Sequence, residues 1–354
     1  MAKRFDDWEV VRSLSQGGQA WTYLVKKVDG SDEELFVLKQ LIKRSDPSRL
    51  KRFQQEINAG LHLSHLNVLK VVGHNIAHER PYLVTEYCSG GPLADANVAS
   101  YTEVERLRLF LAICHGVGHA HASDVIHRDL KPANIFLLSD LRTPVVGDFG
   151  LCLLADQEER LTEVNEAVGA RWYMAPELED GINLEVGAQA DVYSLGKILY
   201  WLFSGGKIFS RERHRIPQYD LTSDRKDAAI FFVYDLLDGM IEADPARRRF
   251  KDANEVAAAV ETVISRIEVN AHHIDLSVPQ ACLYCGVGFY QKVLDESAEM
   301  NRTGQYPELE RFGFRGIGKS SWLIMACDYC GNVQVFRLDY AKDKTIWKKG
   351  RPEV

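Results

Sequence analysis

No stretch of this 354-residue chain approaches the run of about 18 apolar residues that a membrane-crossing helix needs, so a bilayer is not an expected partner. The N-terminus, Met1-Ala2-Lys3-Arg4-Phe5-Asp6-Asp7, lacks the apolar core of a secretory signal, and the expected location is cytoplasmic. An excess of basic charge is missing too. With 43 Lys and Arg against 50 Asp and Glu, the net charge of -7 has the wrong sign for a general binder of nucleic acid or anionic membrane. Cysteine is scarce, at seven residues, and Cys88, Cys114 and Cys152 are scattered as thiols of a reducing compartment are. The triplet Asn301-Arg302-Thr303 matches a glycosylation acceptor but has no signal to take it to a glycosylating compartment. What remains is an ordinary globular composition, 46% hydrophobic and 26% charged, in a chain long enough for two domains with their own cores.

Polar residues interrupt apolar sequence most pointedly between Val125 and Pro176. The stretch contains His127-Arg128-Asp129-Leu130-Lys131-Pro132-Ala133-Asn134, then Gly147-Asp148-Phe149-Gly150, then Ala175-Pro176-Glu177. Asp129 and Asn134 are too close in sequence to belong to separate elements, so both sit on one loop. Asp148 follows the β-prone run Pro144-Val145-Val146-Gly147, where a short hairpin would end. A loop and a hairpin end placed side by side hold two carboxylates and an amide around one point. Magnesium-assisted phosphoryl transfer needs that set: oxygen ligands for a hard cation and a carboxylate to take up a hydroxyl proton.

In this order the motifs H-R-D-L-K-P-x-N, D-F-G and A-P-E resemble those of eukaryotic-type (Hanks-type) serine/threonine protein kinases. The resemblance implies an α+β, two-lobed fold over residues 1–268. A β-rich lobe would take about 1–88 and a helical lobe about 89–268, followed by a linker at 269–280 and a small β domain at 281–354. It also implies ATP and Mg²⁺ as cofactors and proteins as substrates. Asp129 would orient the substrate hydroxyl and accept its proton, Lys131 would sit beside the transferring phosphoryl group, and Asn134 and Asp148 would hold Mg²⁺. Lys39, on the strand Leu35-Phe36-Val37-Leu38-Lys39, would bind the α and β phosphates, held there by Glu56 on a helix from Pro47 to Leu63. Thr85 would be the small residue guarding the back of the nucleotide site, with Glu86 and Cys88 offering backbone groups to adenine. Leu14, Gly17, Gly18, Thr22, Val37 and Phe136 complete the nucleotide-binding set. Asp191 would brace the catalytic loop, Arg248 would pair with Glu177, and a helix from Asn254 to Ile267 would close the domain. None of the four residues that catalytically dead relatives tend to lose (Lys39, Asp129, Asn134 and Asp148) is missing here.

Four positions depart from the family pattern. Ser15 and Ala20 replace two of the three glycines of the phosphate loop, leaving Gly17 with Gly18 beside it. Gly60 stands where a bulky apolar residue is usual, and Ala170 replaces the threonine that contacts the catalytic Asp and Lys. Thr162 is the candidate for autophosphorylation, which Arg128 would answer by pairing with the phosphate. His115, His119 and His121 cluster near the end of a long buried helix through Val104, Leu107, Phe110 and Val117. They read as ordinary helix-end histidines, because no Cys or carboxylate group accompanies them as metal ligands would.

Beyond the linker come Cys282-Leu283-Tyr284-Cys285-Gly286 and Cys327-Asp328-Tyr329-Cys330-Gly331. Each C-x-x-C-G reads as a knuckle, and the pair predicts a structural Zn²⁺ on Cys282, Cys285, Cys327 and Cys330, as in a zinc ribbon. The 41 residues between the knuckles are many for a ribbon. A redox C-x-x-C is the rival reading, weakened by the presence of two equal knuckles. Gly313 to Ser320 also matches the phosphate-loop pattern G-x-x-x-x-G-K-S, but no strand precedes it and no large sheet can surround it. A basic glycine loop is the expected state of that segment. The zinc module would recruit a protein or nucleic-acid partner. Two other readings of the whole chain are an ATP-binding scaffold of weak activity and a nucleic-acid reader regulated by its kinase.

Overall fold

The computed structural model describes residues 3–16, 20–30, 34–42, 45–149, 172–178, 186–221, 228–271, 290–292, 322–327 and 333–337. The chain forms two compact units, Met1–Ile264 and Ser265–Val354.

The first unit opens with a six-stranded antiparallel sheet in the order β1-β2-β3-β4-β6-β5. Its strands are β1 (Arg4–Phe5), β2 (Trp8–Gln16), β3 (Ala20–Lys27), β4 (Phe36–Leu41), β5 (Val71–Asn75) and β6 (Tyr82–Glu86). Side chains of a strand alternate between faces, and here the alternation separates two cores. Tyr82, Val84 and Leu38 join Phe5, Trp8, Tyr23 and Val25 on one face. Leu83 and Leu41 face the other way, onto Phe53 and Ile57 of α1 (Pro47–His62). Direct cross-strand partners share a face, so the pairs Lys39↔Leu83, Val37↔Thr85 and Thr22↔Lys39 place all five residues on the side of α1. Strand β4 begins at Phe36 rather than Leu35 and runs on to Leu41, because its pairing with β3 continues to Ala20.

The lower part is mainly helical. Helix α2 (Glu103–His121) starts at a reciprocal cap, in which Thr102 Oγ1 accepts from Glu105 N–H and Glu105 Oε2 accepts from Thr102 N–H. Helix α3 (Gln189–Phe203) is buried on every side from Ala190 to Phe203, as suits a central helix rather than a half-exposed one. It is followed by α4 (Ala228–Met240) and α5 (Ala253–Ala271). Helix α5 runs past the expected Ile267, since no glycine or proline follows until Pro279. Strands β7 (Gly91–Pro92), β8 (Ile135–Leu137) and β9 (Pro144–Val146) form a small sheet, and the β8–β9 hairpin ends just before Asp148. The second unit contains an antiparallel sheet of β10 (Tyr290–Lys292), β11 (Trp322–Cys327) and β12 (Val333–Arg337). Among the described residues, no helix is long and apolar enough to cross a membrane.

The segment after α1 ties the sheet to the hairpin. Val146 N–H donates to Asn67 O at 2.9 Å, Leu69 N–H to Val146 O at 2.8 Å, and Asn67 Nδ2 to Pro144 O at 2.8 Å. Helix α2 meets this segment at Gly116, where a β-carbon would lie 2.4 Å from Asn67 O and 3.1 Å from Asn67 Cβ. Backbone cannot yield there as a flexible side-chain tip would. Gly116→Ala is therefore expected to cost about 1–3 kcal/mol, the usual toll of overpacking, despite alanine's better helix propensity. A lowered denaturant midpoint at unchanged slope would show it, and an unchanged midpoint would mean the contact is slack.

Candidate active site

Asp129, Lys131 and Asn134 lie on the loop between α2 and β8, and one buried carboxylate shapes that loop. Asp191, near the start of α3, accepts from His127 N–H through Oδ2 and from Arg128 N–H through Oδ1, both at 2.8 Å. His121 Nδ1 accepts from Ala253 N–H at 3.2 Å, so its proton sits on Nε2 and is donated to Asp191 Oδ2 at 2.9 Å. Burial alone would raise the Asp191 pKa, but the hydrogen bonds from His121 and from the His127 backbone N–H hold it below the ordinary range. The loop backbone bends sharply here, with Arg128 at φ 64°.

His127 continues the frame. Its Nδ1 accepts from Asp129 N–H at 3.3 Å, which leaves Nε2 to donate to Gly147 O at 2.8 Å. The ring of Phe149 lies 4.8 Å from the His127 ring, centre to centre. Gly147 N–H in turn donates to Asn134 O at 2.9 Å. Loop and hairpin end are thereby stitched together, with Asp148, at φ 59°, projecting from the seam.

Within the loop, Asp129 Oδ2 accepts from Lys131 Nζ at 2.8 Å and from Asn134 Nδ2 at 3.0 Å. Asn134 Nδ2 also donates to Asp129 O at 2.9 Å, so its amide oxygen is the atom left to serve a cation. Across the cleft, Lys39 Nζ lies 2.7 Å from Glu56 Oε1 and 2.8 Å from Asp148 Oδ1. Burial pulls the Lys39 pKa down, but the two carboxylates overcome this and hold it above the ordinary lysine range. Glu56 is pushed up to about 7 by burial, which Lys39 only partly offsets. Asp148 is held at about 2 despite burial, chiefly by the charge of Lys39.

Lys39, Glu56 and Asp148 border a cavity of about 460 Å³ between the sheet and the hairpin, whereas Asp129, Lys131 and Asn134 are not among its lining residues. Of the residues expected to bind a nucleotide, Leu14, Thr22, Val37, Lys39, Glu56, Thr85, Glu86, Cys88, Phe136 and Asp148 line it. Gly17 and Gly18 lie outside the described residues, as do Ala170 and Thr162. Cys88 is buried, with a thiol pushed up to about 12 by that burial, and reads as inert. The sequence reading missed the back wall, where Leu69, Val71, Leu83 and Gly60 complete the cavity. The only hint was the apolar alternation of β5 and β6, which any strand would share.

Arg248 and Glu177 form a two-pronged pair, Nη1–Oε1 at 2.6 Å and Nη2–Oε2 at 2.8 Å, with the arginine side chain fully buried. The three helix-end histidines go separate ways: His121 to Asp191, His119 into a ring stack with His65, and His115 towards Glu261. Among the described residues, no group of three or more His, Cys, Asp or Glu side chains is placed to hold a metal ion. Of the zinc-knuckle cysteines, Cys282, Cys285 and Cys330 lie outside the described residues, and Cys327 ends β11.

Comparison with known proteins agrees with this geometry. The family model described as protein kinase domain matches residues 8–257. The chain is 33% identical over 213 residues to the serine/threonine-protein kinase Pkn1 of Myxococcus xanthus, covering 59% of this chain and 30% of that protein. It is 30% identical over 208 residues to the DNA damage-responsive serine/threonine-protein kinase RqkA of Deinococcus radiodurans, covering 57% and 30% respectively. The match thus spans under a third of the length of either relative. Among solved structures, the kinase domain of Mycobacterium tuberculosis PknI superposes with a TM-score of 0.57 at 26% identity, covering 74% of this chain and 98% of that one.

The Asp191 frame is testable by pH. Its folded pKa lies below the 3.8 of an unfolded aspartate, so its contribution is fully present above that value and lost as pH falls through the folded value. Asp191→Asn should cost about 3 kcal/mol at neutral pH, by loss of charge-assisted bonds inside the core. The gap from wild type should narrow when denaturation is repeated near pH 3. An equal gap at both pH values would show that Asp191 is not ionised in the fold.

Proposed function

This chain belongs to the protein kinase family, and from that premise we propose that it transfers the γ-phosphoryl group of ATP to serine or threonine hydroxyls of protein substrates. One observation carries the reading. An unbroken path of contacts runs from Lys39 through Asp148, Gly147 and Asn134 to Asp129 and Lys131, and its first members, Lys39, Asp148 and Gly147, line a nucleotide-sized cavity. The serine/threonine class follows the relatives Pkn1 and RqkA and the Lys131-Pro132 pair after Leu130.

The residues suit magnesium-bound ATP. Asp148 carboxylate and Asn134 amide oxygen are hard ligands, and the apolar cavity wall of Leu14, Val37 and Phe136 suits a flat base. Glu86 N–H is committed to Lys70 O and Cys88 O to Gly91 N–H, so Cys88 N–H is offered to the base, together with the second lone pair of Glu86 O, which already accepts from Thr85 Oγ1 at 3.3 Å. Lys39 binds the α and β phosphates and is kept in place by Glu56. Mg²⁺, when bound with the nucleotide, neutralises charge between the phosphates. Asp129, fixed at Oδ2 by Lys131 and Asn134, orients the incoming hydroxyl and takes its proton as the new P–O bond forms and the bond to the leaving ADP breaks. Lys131 stabilises charge on the transferring group.

For the tail, the proposal is a structural Zn²⁺ on Cys282, Cys285, Cys327 and Cys330, forming a module that recruits a partner. Sheet register supports it. Tyr290 of β10 pairs with Cys327 of β11, so the start of β10 and the end of β11 share one end of an antiparallel sheet. In sequence, Cys285 precedes Tyr290 by five residues and Cys330 follows Cys327 by three. Strands this short cannot bury a core of their own, and structural zinc supplies on the order of 10–16 kcal/mol to such domains.

Two measurements test these readings. Asp129→Ala should lower phosphoryl transfer to a generic protein substrate by about 10²–10⁴-fold while ATP still binds; no transfer by the wild type would return the chain to a scaffold role, and transfer that survives the substitution would remove Asp129 from the reaction. A chelator should melt residues 281–354 while leaving the kinase-domain transition in place. Joint melting, or no zinc by metal analysis of purified protein, would remove the independent zinc module.

A further inference from the structure

The segment that ties the sheet to the β8–β9 hairpin is itself fastened by two imidazoles. His65 Nδ1 accepts from Asn67 N–H at 3.1 Å, and His119 Nε2, on α2, accepts from Ser64 N–H at 3.3 Å. The two rings stack, 5.2 Å apart between centres and tilted by 24°. A ring nitrogen that accepts a hydrogen bond carries no proton, so both rings are neutral, His65 protonated at Nε2 and His119 at Nδ1. Each would take its second proton at the nitrogen that holds the backbone. Protonation thus sets a donor against a donor and breaks the bond, and charging both rings would stack two cations.

We propose that the His65–His119 stack is an acid-released latch, in which neutral rings hold residues 64–67 against α2 and protonation of either ring frees that segment. What the latch holds is connected to the site. Asn67 O and Nδ2 carry the bonds to Val146 and Pro144, and the hairpin they hold runs on to Asp148. Gly116, three residues before His119 and so on the same face of α2, leaves the space that Asn67 O occupies. Other titratable groups surround the pair. His115, one turn before His119, lies 3.6 Å from the Glu261 carboxylate of α5, and His62, in the last turn of α1, is exposed. Burial, and then His119 and His115, hold the His65 pKa below its ordinary 6.5. The contribution of the neutral latch is therefore fully present above 6.5 and is lost as pH falls through the folded value.

Two substitutions keep the hydrogen bonds and remove the titration. Asparagine at 65 can accept an N–H two residues on through its amide oxygen, as in an Asx-turn, and glutamine at 119 offers an amide oxygen to Ser64 N–H. The test compares full-length wild type with the double variant His65→Asn, His119→Gln. It reads the thermal midpoint and the deuterium exchange of the Ser64 and Asn67 amides, near pH 7.5 and near pH 5.5. At the higher pH the two proteins should agree in both. At the lower, the wild-type amides should exchange at least about threefold faster than those of the double variant, the size of one modest hydrogen bond. The wild-type midpoint should also fall by at least about 2 °C more. Equal exchange and equal loss of midpoint at the lower pH would overturn the proposal. So would a double variant weaker than wild type by the same margin at both pH values, since the rings would then be packing and not acid-sensitive acceptors. If the double variant does not fold, His119→Gln alone carries the comparison at Ser64, and exchange there that matches wild type near pH 5.5 overturns the proposal equally.

Discussion

One lysine held between two carboxylates joins the parts of this site. Lys39 comes from the sheet, Glu56 from α1 and Asp148 from the end of the β8–β9 hairpin, and the ammonium bridges them at 2.7 and 2.8 Å. Removing one partner from a buried ion pair leaves an uncompensated charge, which costs far more than the pair itself contributes. The three elements therefore depend on one another's placement. The two contacts are of nearly equal length, so the geometry ties α1 and the hairpin to the lysine alike.

A second buried carboxylate does for the loop what Lys39 does for the cleft. Asp191 sits in a helix with no solvent face and turns two successive N–H groups of the loop towards itself. Those bonds hold Arg128 in a left-handed conformation that a non-glycine residue adopts only when its surroundings demand it. With the backbone so fixed, Asp129, Lys131 and Asn134 have little choice of direction. The strain is local and the frame that sustains it is remote. A site organised this way is set before any substrate arrives, and electrostatic stabilisation then needs no reorganisation during the reaction.

How legible all this was depended on the range over which the information is encoded. Asp129, Lys131 and Asn134 lie within six residues, so their spacing in sequence already states that they share a loop. Val37 and Lys39 share a face because strands alternate, which is also readable locally. Glu56 was identified by register with the kinase family rather than by its own surroundings, which as sequence look like any solvated helix. The back wall resisted entirely: Leu69, Val71 and Leu83 line the cavity only because β5 pairs with β6, and pairing between strands is not written in either one alone. Gly60 looked like a gap in an apolar spine. In the fold the space is filled from the strand opposite, a complementarity that needs both partners in view. His121 was taken for an ordinary helix-end histidine, and its partner Asp191 lies 70 positions away.

The catalytic cluster explains transfer but says little about choice. Every group in it addresses a phosphate, a cation or a hydroxyl, and these are common to all substrates of such an enzyme. Selectivity must come from surfaces that differ in affinity between partners. The described strands of the C-terminal unit have three, six and five residues, and its sequence carries two C-x-x-C pairs. Nine lysines and arginines stand at Arg302, Arg311, Arg315, Lys319, Lys342, Lys344, Lys348, Lys349 and Arg351, in a chain whose net charge is -7. Across 281–354 eleven Lys and Arg stand against nine Asp and Glu, so the tail is close to charge balance and the acidic excess of the chain lies in the kinase domain.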